Sequence, residues 1–387
     1  MSKKHICVVT GSRSEYGYLQ LIIRKIQESS KLKLSLLVTG MHLLNKFGKT
    51  IDLIRYDKNP ITKIIPMYYN NTLKENNLGK AVGRAIINFT KAFYELKPDL
   101  LLVLGDRFET LAAVLAATTL SIPIAHIHGG DSVFKGQVDE QIRHAITKLS
   151  HIHFPATIKS YERIKLMGEE NWRIHMVGST SVDIVLQEQF LNDEEIYRKF
   201  GISPLEKIII CIQHPYVFES NLAGEQMKIT LQVLKDLNLQ TIVIYPNNDI
   251  GSNLIINEIE FNKNVPRFKI FKNIERKEFL SLLKKSDLII GNSSSGIIES
   301  PIFKVPAINI GDRNKGRECA ENIINVPHEY TAIKKAIIKC LSVEFKEVCQ
   351  NIKNPYGDGH ASEKIVKILE DLQINKDLLI KKLTYKV

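Results

Sequence analysis

LIIGNSSSGIIES, residues 288–300, changes character at Gly291. A short apolar run gives way to small hydrogen-bonding residues between two glycines, and apolar residues resume at Ile297. The pattern reads as a buried strand, a turn and a helix. In open α/β sheets, ligands bind beyond the carboxyl ends of strands. Ser293, Ser294, Ser295 and Gly296 therefore stand where backbone N–H groups and hydroxyls at a helix start would cradle a diphosphate. Glu299 is spaced to accept hydrogen bonds from a ribose diol. A capping box from Ser295 to Ile298 is ruled out, because position 298 is neither Glu nor Gln. The next apolar run, PAINIG (306–311), leads into DRNKGRE, where Arg313 and Arg317 are positioned to neutralise phosphate charge.

The same unit recurs along the chain. HICVV (5–9), KLSLLV (33–38), DLLLVL (99–104), PIAHIH (123–128) and HIHFPA (151–156) are runs of the kind buried in parallel sheets. Helical patterns lie between them at 18–27, 108–118 and 139–149. A second series follows: KIIICI (207–212), TIVIY (241–245), FKIF (268–271), DLIIG (287–291) and PAINIG, with helices at 226–237, 277–285 and 296–303. Alternating βα units predict an α/β fold with doubly wound parallel sheets, and two series predict two Rossmann-like domains. The polar stretch 186–207, with NDEE and GISPLEK, separates them. The expected domains are 1–180 and 181–360, with the hinge in that stretch. A last helix is expected from about 361, after the turn-rich NPYGDGHAS (354–362).

Composition narrows the function. Lys and Arg number 53 against 42 Asp and Glu, giving +11, which favours anionic ligands such as nucleotides or sugar phosphates. The basic residues are dispersed and not interleaved with aromatics, which argues against nucleic acid. Cysteines at 7, 211, 319, 340 and 349 fit neither a zinc site nor a disulfide framework, and a reducing, cytoplasmic setting is the simplest expectation. No stretch approaches 18 apolar residues, so no membrane-spanning helix is expected. The N-terminus does not read as a signal peptide.

Four more stretches carry candidate chemistry. TGSRSEYG (10–17) is a βα turn in which Arg13 would meet a phosphate, but neither a dinucleotide fingerprint nor a P-loop is present. LGDRFE (104–109) puts Asp106 just past an apolar strand, in a ligand cleft or as a helix cap. HIHGGD (126–131) places His126 and His128 on one face of a strand, with Asp131 after two glycines. VDEQIRHA (138–145) then supplies Asp139, Glu140, Arg143 and His144 at a helix start, a set suited to general acid–base work or, less readily, to a metal. In the second half, His214 ends a buried strand before Pro215, facing the expected interdomain cleft.

Taken in order, TGSRSEYG, VTGMHL (38–43), LGDRFE, HIHGGD, DEQIRHAITKLSHIH (139–153), GNSSSGIIE (291–299) and NIGDRNKGR (309–317) resemble the hydrolysing UDP-N-acetylglucosamine 2-epimerases over nearly the whole chain. The resemblance implies a GT-B architecture, with the C-terminal helix, 361–375, packing back on the first domain. It implies that Arg13, Ser294, Ser295, Glu299 and Arg317 hold UDP. His42, Asp106, Asp139, Glu140 and His214 would line the reacting sugar. Non-hydrolysing relatives carry Glu where this chain has His128, and several sialic-acid-type members have a carboxylate after the two glycines, here Asp131.

The implied reaction removes the proton at sugar C2 while the C1–O bond to UDP breaks, leaving a glycal. Water then adds, giving N-acetylmannosamine and UDP for sialic-acid-type synthesis. Asp106 and Asp139 are the expected acid–base pair, with Glu140 and Asp131 as rivals and His214 assisting phosphate departure or moving a proton. Neither a nicotinamide nor a metal is required. Members of the family are commonly homodimers or homotetramers. Three alternatives stay open: the same reaction on UDP- or GDP-linked 2,4-diacetamido-2,4,6-trideoxy-glucose for legionaminic acid, a GT-B glycosyltransferase, and a non-catalytic nucleotide-sugar sensor.

Overall fold

The apolar runs become buried strands in the computed structural model, which describes residues 3–45, 49–68, 78–132, 138–247 and 249–385. The chain divides into two units, Met1–Leu186 with Tyr356–Val387, and Gln187–Pro355. In the first unit, β1 (Lys4–Thr10), β2 (Leu32–Thr39), β3 (Ile61–Ile65), β4 (Leu100–Leu104), β5 (Ile124–Ile127) and β6 (Ile152–Phe154) form a sheet in the order β3-β2-β1-β4-β5-β6. All its pairings are parallel. The strand order reverses between β1 and β4, which is where a doubly wound sheet opens a crevice for ligands.

Side chains alternate across this sheet with the period of two that a strand imposes. Ile6, Val8, Leu36, Val38, Leu100 and Leu102 face a core closed by the helices Arg13–Glu28 and Ala361–Asp371. Cys7, Val9, Leu37, Leu101 and Val103 face the opposite core, under the helices Leu78–Leu96, Phe108–Thr119 and Val138–Leu149. Each fully buried aliphatic side chain contributes roughly 1.5–3 kcal/mol, so both faces are strongly held.

The second unit repeats the topology. β7 (Ile209–Ile212), β8 (Thr241–Ile244), β9 (Phe268–Phe271), β10 (Leu288–Gly291), β11 (Ala307–Ile310) and β12 (Ile323–Val326) are ordered β12-β11-β10-β7-β8-β9, again all parallel. Its order reverses between β7 and β10. Two of the four edge strands, β3 and β12, lack the apolar runs of the others; the burial of β3 alternates residue by residue, because one of its faces reaches solvent.

The division falls after Leu186 rather than near 180, because the helix Thr180–Gln187 buries Val182 and Val185 and anchors the returning chain. Asp183 accepts the backbone N–H groups of Ala361 (3.0 Å) and Ser362 (2.6 Å), capping the C-terminal helix from outside it. At that helix's other end, the Lys4 ammonium donates to the carbonyls of Leu369, Glu370 and Leu372 at 2.9, 2.6 and 2.7 Å. Nor is 186–207 a plain linker. NDEE starts the helix Asp193–Phe200, closed by a capping box between Asn192 and Glu195.

Candidate functional site

At the first switch point, β1 runs through Gly11 and Ser12 into the helix Arg13–Glu28, whose N-cap is Ser12. The anion position of this turn is already filled from within. Glu15 folds back so that its Oε2 accepts the Gly11 N–H at 2.8 Å and the Ser12 hydroxyl at 3.3 Å, while Thr110 donates to its Oε1 at 3.1 Å. Burial, with the Glu109 carboxylate beside it, pushes the Glu15 carboxyl up to about 7. Arg13 is exposed at the first helical position. A phosphate can therefore meet the Arg13 side chain but not the Gly11 N–H.

β4 ends beside this turn. The N-cap of the following helix is Arg107, so Asp106 is not spent on capping. Arg107 is held in turn by Glu109, 1% exposed, with its Nη2 3.3 Å from Oε1 and its Nε 3.2 Å from Oε2. Asp106 instead accepts a hydrogen bond from Nη2 of Arg143.

Arg143 is the organiser of the acidic cluster. It is 8% exposed, and its Nη1 donates to Oε2 of Glu140 and to the Asp131 carbonyl, both at 2.9 Å. The other Glu140 oxygen accepts from Ser132 (2.6 Å) and lies 3.1 Å from His144 Nε2. Ser160 donates to the Asp131 carboxylate at 2.6 Å. Glu140 and Asp131 are thus committed to holding the loop and helix together. Asp139 sits at the start of the same helix, and its carboxyl lies above the ordinary range, because burial and the Asp106 charge disfavour ionisation more than Arg107 and Arg143 favour it.

Three histidines singled out in this unit, His126, His128 and His42, differ. His126 is buried, with Nε2 2.7 Å from the Gly105 carbonyl and Nδ1 3.2 Å from the Thr147 hydroxyl; burial holds its pKa at about 3, so it is a neutral structural residue. His128 adopts φ +60°, rests edge-on to Tyr18 and leaves its buried Nε2 without a partner among the described residues. His42, which the resemblance assigns to the sugar, is engaged within the protein. It is fully buried, Nε2 is 3.1 Å from the Thr10 hydroxyl and Nδ1 is 2.8 Å from the Thr50 hydroxyl. Burial lowers its pKa to about 4, and with both nitrogens occupied it secures the Gly40–Leu43 turn.

In the second unit, the expected helix at 296–303 is a single turn, Ser295–Ile298, followed by the 3-10 segment Ser300–Phe303 with Pro301 at its start. One turn carries little aligned dipole, so the anion cradle rests on hydroxyls and guanidinium groups instead. Ser294 is the N-cap, but its hydroxyl makes no capping bond. Arg313 and Arg317 approach from the loop after β11, with no salt-bridge partner among the described residues, and Arg317 Nε is buried without a hydrogen bond. Burial and the neighbouring Arg317 charge lower the Arg313 pKa, although Asp249 opposes them. Two cations brought together in this way form a site prepared for an anion. Glu299, 8% exposed, pairs at 3.3 Å with Arg276.

His214, 7% exposed, stands two residues beyond the end of β7. Its Nδ1 accepts the Asn247 backbone N–H at 3.0 Å, so the neutral ring carries its proton on Nε2. Burial, with Arg313 nearby, lowers its pKa to about 4. At neutral pH it is a hydrogen-bond donor, not a cation.

A family model described as UDP-N-acetylglucosamine 2-epimerase matches residues 24–370. The chain belongs to that family. Two relatives are hydrolysing enzymes by name. The UDP-N,N'-diacetylbacillosamine 2-epimerase (hydrolyzing) of Legionella pneumophila is 37% identical, covering 98% of both chains. The GDP/UDP-N,N'-diacetylbacillosamine 2-epimerase (hydrolyzing) of Campylobacter jejuni is 36% identical, covering 95% of both. In fold, the chain is similar to the UDP-GlcNAc 2-epimerase of Neisseria meningitidis solved with UDP-GlcNAc bound, with a TM-score of 0.78 and 22% identity over 95% of this chain and 100% of that one. The expected two Rossmann-like domains of GT-B type are thus the fold of this epimerase family member. Among the described residues, no helix is long and apolar enough to cross a membrane.

Sequence reasoning passed over several residues that this epimerase family member places at its two switch points. Glu15, Arg107 and Glu109 lie within the quoted TGSRSEYG and LGDRFE stretches, and Asn292 within GNSSSG. The Ser12-x-x-Glu15 spacing of a capping box is the sequence signal that could have drawn attention to Glu15. Nothing local marks Asn292, whose partners lie on other strands.

Proposed function

We propose that the chain is a hydrolysing 2-epimerase of a UDP-linked 2-acetamido sugar. The observation that carries this reading is the acidic cluster at the first switch point: Arg143 binds Asp106 and Glu140, while Asp139 is left with a raised pKa. A C2 proton is weakly acidic, so its removal needs a positioned carboxylate whose pKa lies above the usual range. Asp139 fits the base, and Asp106 fits the partner that exchanges the second proton, with Arg143 holding its orientation. Glu140 and Asp131 have their oxygens engaged by Ser132, His144, Arg143 and Ser160, which supports a framework role for them.

Loss of UDP places charge on the departing diphosphate, and the second unit supplies donors for it. His214 Nε2–H, Arg313, Arg317 and the hydroxyls of Ser293, Ser294 and Ser295 can stabilise that charge, and Arg13 adds a further cation. Glu299 can accept from the ribose diol. The bond to C2–H breaks, its electrons form the C1–C2 double bond, and the C1–O electrons leave with UDP. Water then adds across the glycal, delivering hydroxyl to C1 and a proton to C2 from the opposite face.

Two sugars are in contention. The names of the 37% and 36% identical relatives support UDP-N,N'-diacetylbacillosamine, which is the 2,4-diacetamido-2,4,6-trideoxy-glucose nucleotide. The description of the matching family supports UDP-N-acetylglucosamine. We take the diacetylbacillosamine reading first, since it comes from closely similar full-length chains. Proton NMR of the product in heavy water tests both. Incubation with each UDP-sugar should release UDP and a free manno-configured sugar carrying deuterium at C2, faster from UDP-N,N'-diacetylbacillosamine. Retention of protium at C2, or UDP release only after an acceptor is added, would refute the 2-epimerase reading.

A further inference from the structure

At the second switch point, Asn292 joins groups from two other strand ends: its side chain meets the His214 backbone beyond β7, and its main-chain carbonyl meets Arg313 and Asn314 beyond β11. Gly291 makes this approach possible. It adopts φ +131°, and a Cβ there would lie 1.9 Å from the Ile212 carbonyl oxygen. Without that Cβ, the Asn292 backbone N–H reaches the same carbonyl at 3.1 Å, extending the β7–β10 ladder by one residue. The Asn292 amide then pairs with both peptide groups of His214. Oδ1 accepts the His214 N–H at 2.6 Å, and Nδ2 donates to the His214 carbonyl at 2.9 Å. Pro215 follows and restricts His214 to extended backbone, so the two bonds and the proline leave its main chain little freedom.

The Asn292 main-chain carbonyl is a second point of contact. It accepts from Arg313 Nη1 at 3.0 Å and from Asn314 Nδ2 at 2.9 Å. Asn314 Nδ2 also lies 3.0 Å from Asn309 Oδ1, and Asn309 Nδ2 donates to Asn325 Oδ1 at 2.8 Å. Asn292 is 1% exposed and so does not reach a ligand itself. A satisfied buried amide network of this kind fixes a single geometry, because any displaced member leaves a partner unpaired in a low-dielectric interior.

We propose that Asn292 is a positioning residue that sets His214 and Arg313 in register as paired donors to the terminal phosphate of the nucleotide. The inference rests on the reading above that UDP is the leaving group held by the second unit. Asn292 acts through its neighbours. Its side-chain amide fixes the His214 backbone from which the ring projects, and its main-chain carbonyl, held in place by the same two bonds, receives the Arg313 guanidinium.

The test is the affinity for UDP relative to UMP, measured by calorimetry without turnover. The wild-type protein should bind UDP more tightly than UMP, because only UDP carries the phosphate that both donors address. Asn292→Ala should lower UDP affinity about tenfold or more while changing UMP affinity much less, the scale of a hydrogen bond to a charged group. His214→Ala combined with Asn292→Ala should cost little beyond the worse single variant. Should Asn292→Ala fail to fold, Asn292→Asp is read on the same ratio; it keeps the acceptor for the His214 N–H but sets a carboxylate oxygen against the His214 carbonyl. Equal losses for UDP and UMP would mean a merely structural residue and would overturn the proposal. So would a wild-type protein that does not prefer UDP. The epimerase reading is judged separately, by C2 deuterium, so either can fail alone.

Discussion

Arg143, on the helix Val138–Leu149, donates from Nη2 to Asp106, which stands beyond the end of β4. The bond ties a strand end to a helix start and holds one carboxylate next to another, since Asp106 raises the pKa of Asp139. Replacing Asp106 by Asn keeps the side chain's size but removes its charge. UDP release from the preferred sugar nucleotide should fall at least about a hundredfold, the ordinary contribution of a positioned acid or base. Near-wild-type release would remove Asp106 from the reaction.

The same pair predicts a pH effect. A base with a raised pKa is lost to protonation as pH falls through that value, so kcat should decline on the acid side. Asp106→Asn removes the neighbouring negative charge and lowers the Asp139 pKa, and the acid limb of its residual activity should move to lower pH. A limb at an unchanged position would show that the two carboxyls are not coupled. Asp139→Asn should abolish deuterium entry at C2.

Glu15 predicts a stability effect of opposite sign to that of the buried histidines. Its folded pKa of about 7 lies above the ordinary 4.5, so the folded state holds its proton more tightly. The stabilisation from that proton is complete below pH 4.5 and is lost as pH rises through about 7. Glu15→Gln, which mimics the protonated group, should flatten this part of the melting-temperature profile. The readout is the difference between the two curves. His42 and His214, lowered to about 4, act in both proteins and lose stability as pH falls below 6.5.

Two glycines of one motif should respond differently to alanine. Gly291→Ala places a methyl group 1.9 Å from the Ile212 carbonyl at φ +131° and should cost about 3 kcal/mol or more. Gly296→Ala meets nothing closer than 3.9 Å in a helical turn and should leave stability within about 1 kcal/mol. Chemical denaturation of both variants measures the contrast. Comparable losses would show that the close approach of β10 to β7 is not what fixes Gly291.

The central strands were legible because they are buried on both faces and therefore apolar throughout, as in Leu100–Leu104. β3 and β12 were not, because exposed residues interrupt their apolar character, as in the alternating burial of Ile61–Ile65. Asp106 was placed past its strand correctly, but its freedom from capping was visible only once Arg107 took the N-cap. For His42 the resemblance supplied a sugar-lining role, while its hydrogen bonds to Thr10 and Thr50, on its two nitrogens, were visible only in the tertiary structure.

The order of apolar runs, turns and motifs determined on its own that this is a two-fold series of βα units, because local periodicity and turn chemistry depend only on neighbouring residues. Which side chains pair was decided by tertiary structure alone. Asn292 with His214, Arg143 with Asp106, and Asp183 with Ala361, at the start of the helix Ala361–Asp371, are 78, 37 and 178 residues apart in sequence. Such partners meet only where the parallel sheet brings distant strand ends together, and burial then makes each unpaired alternative costly.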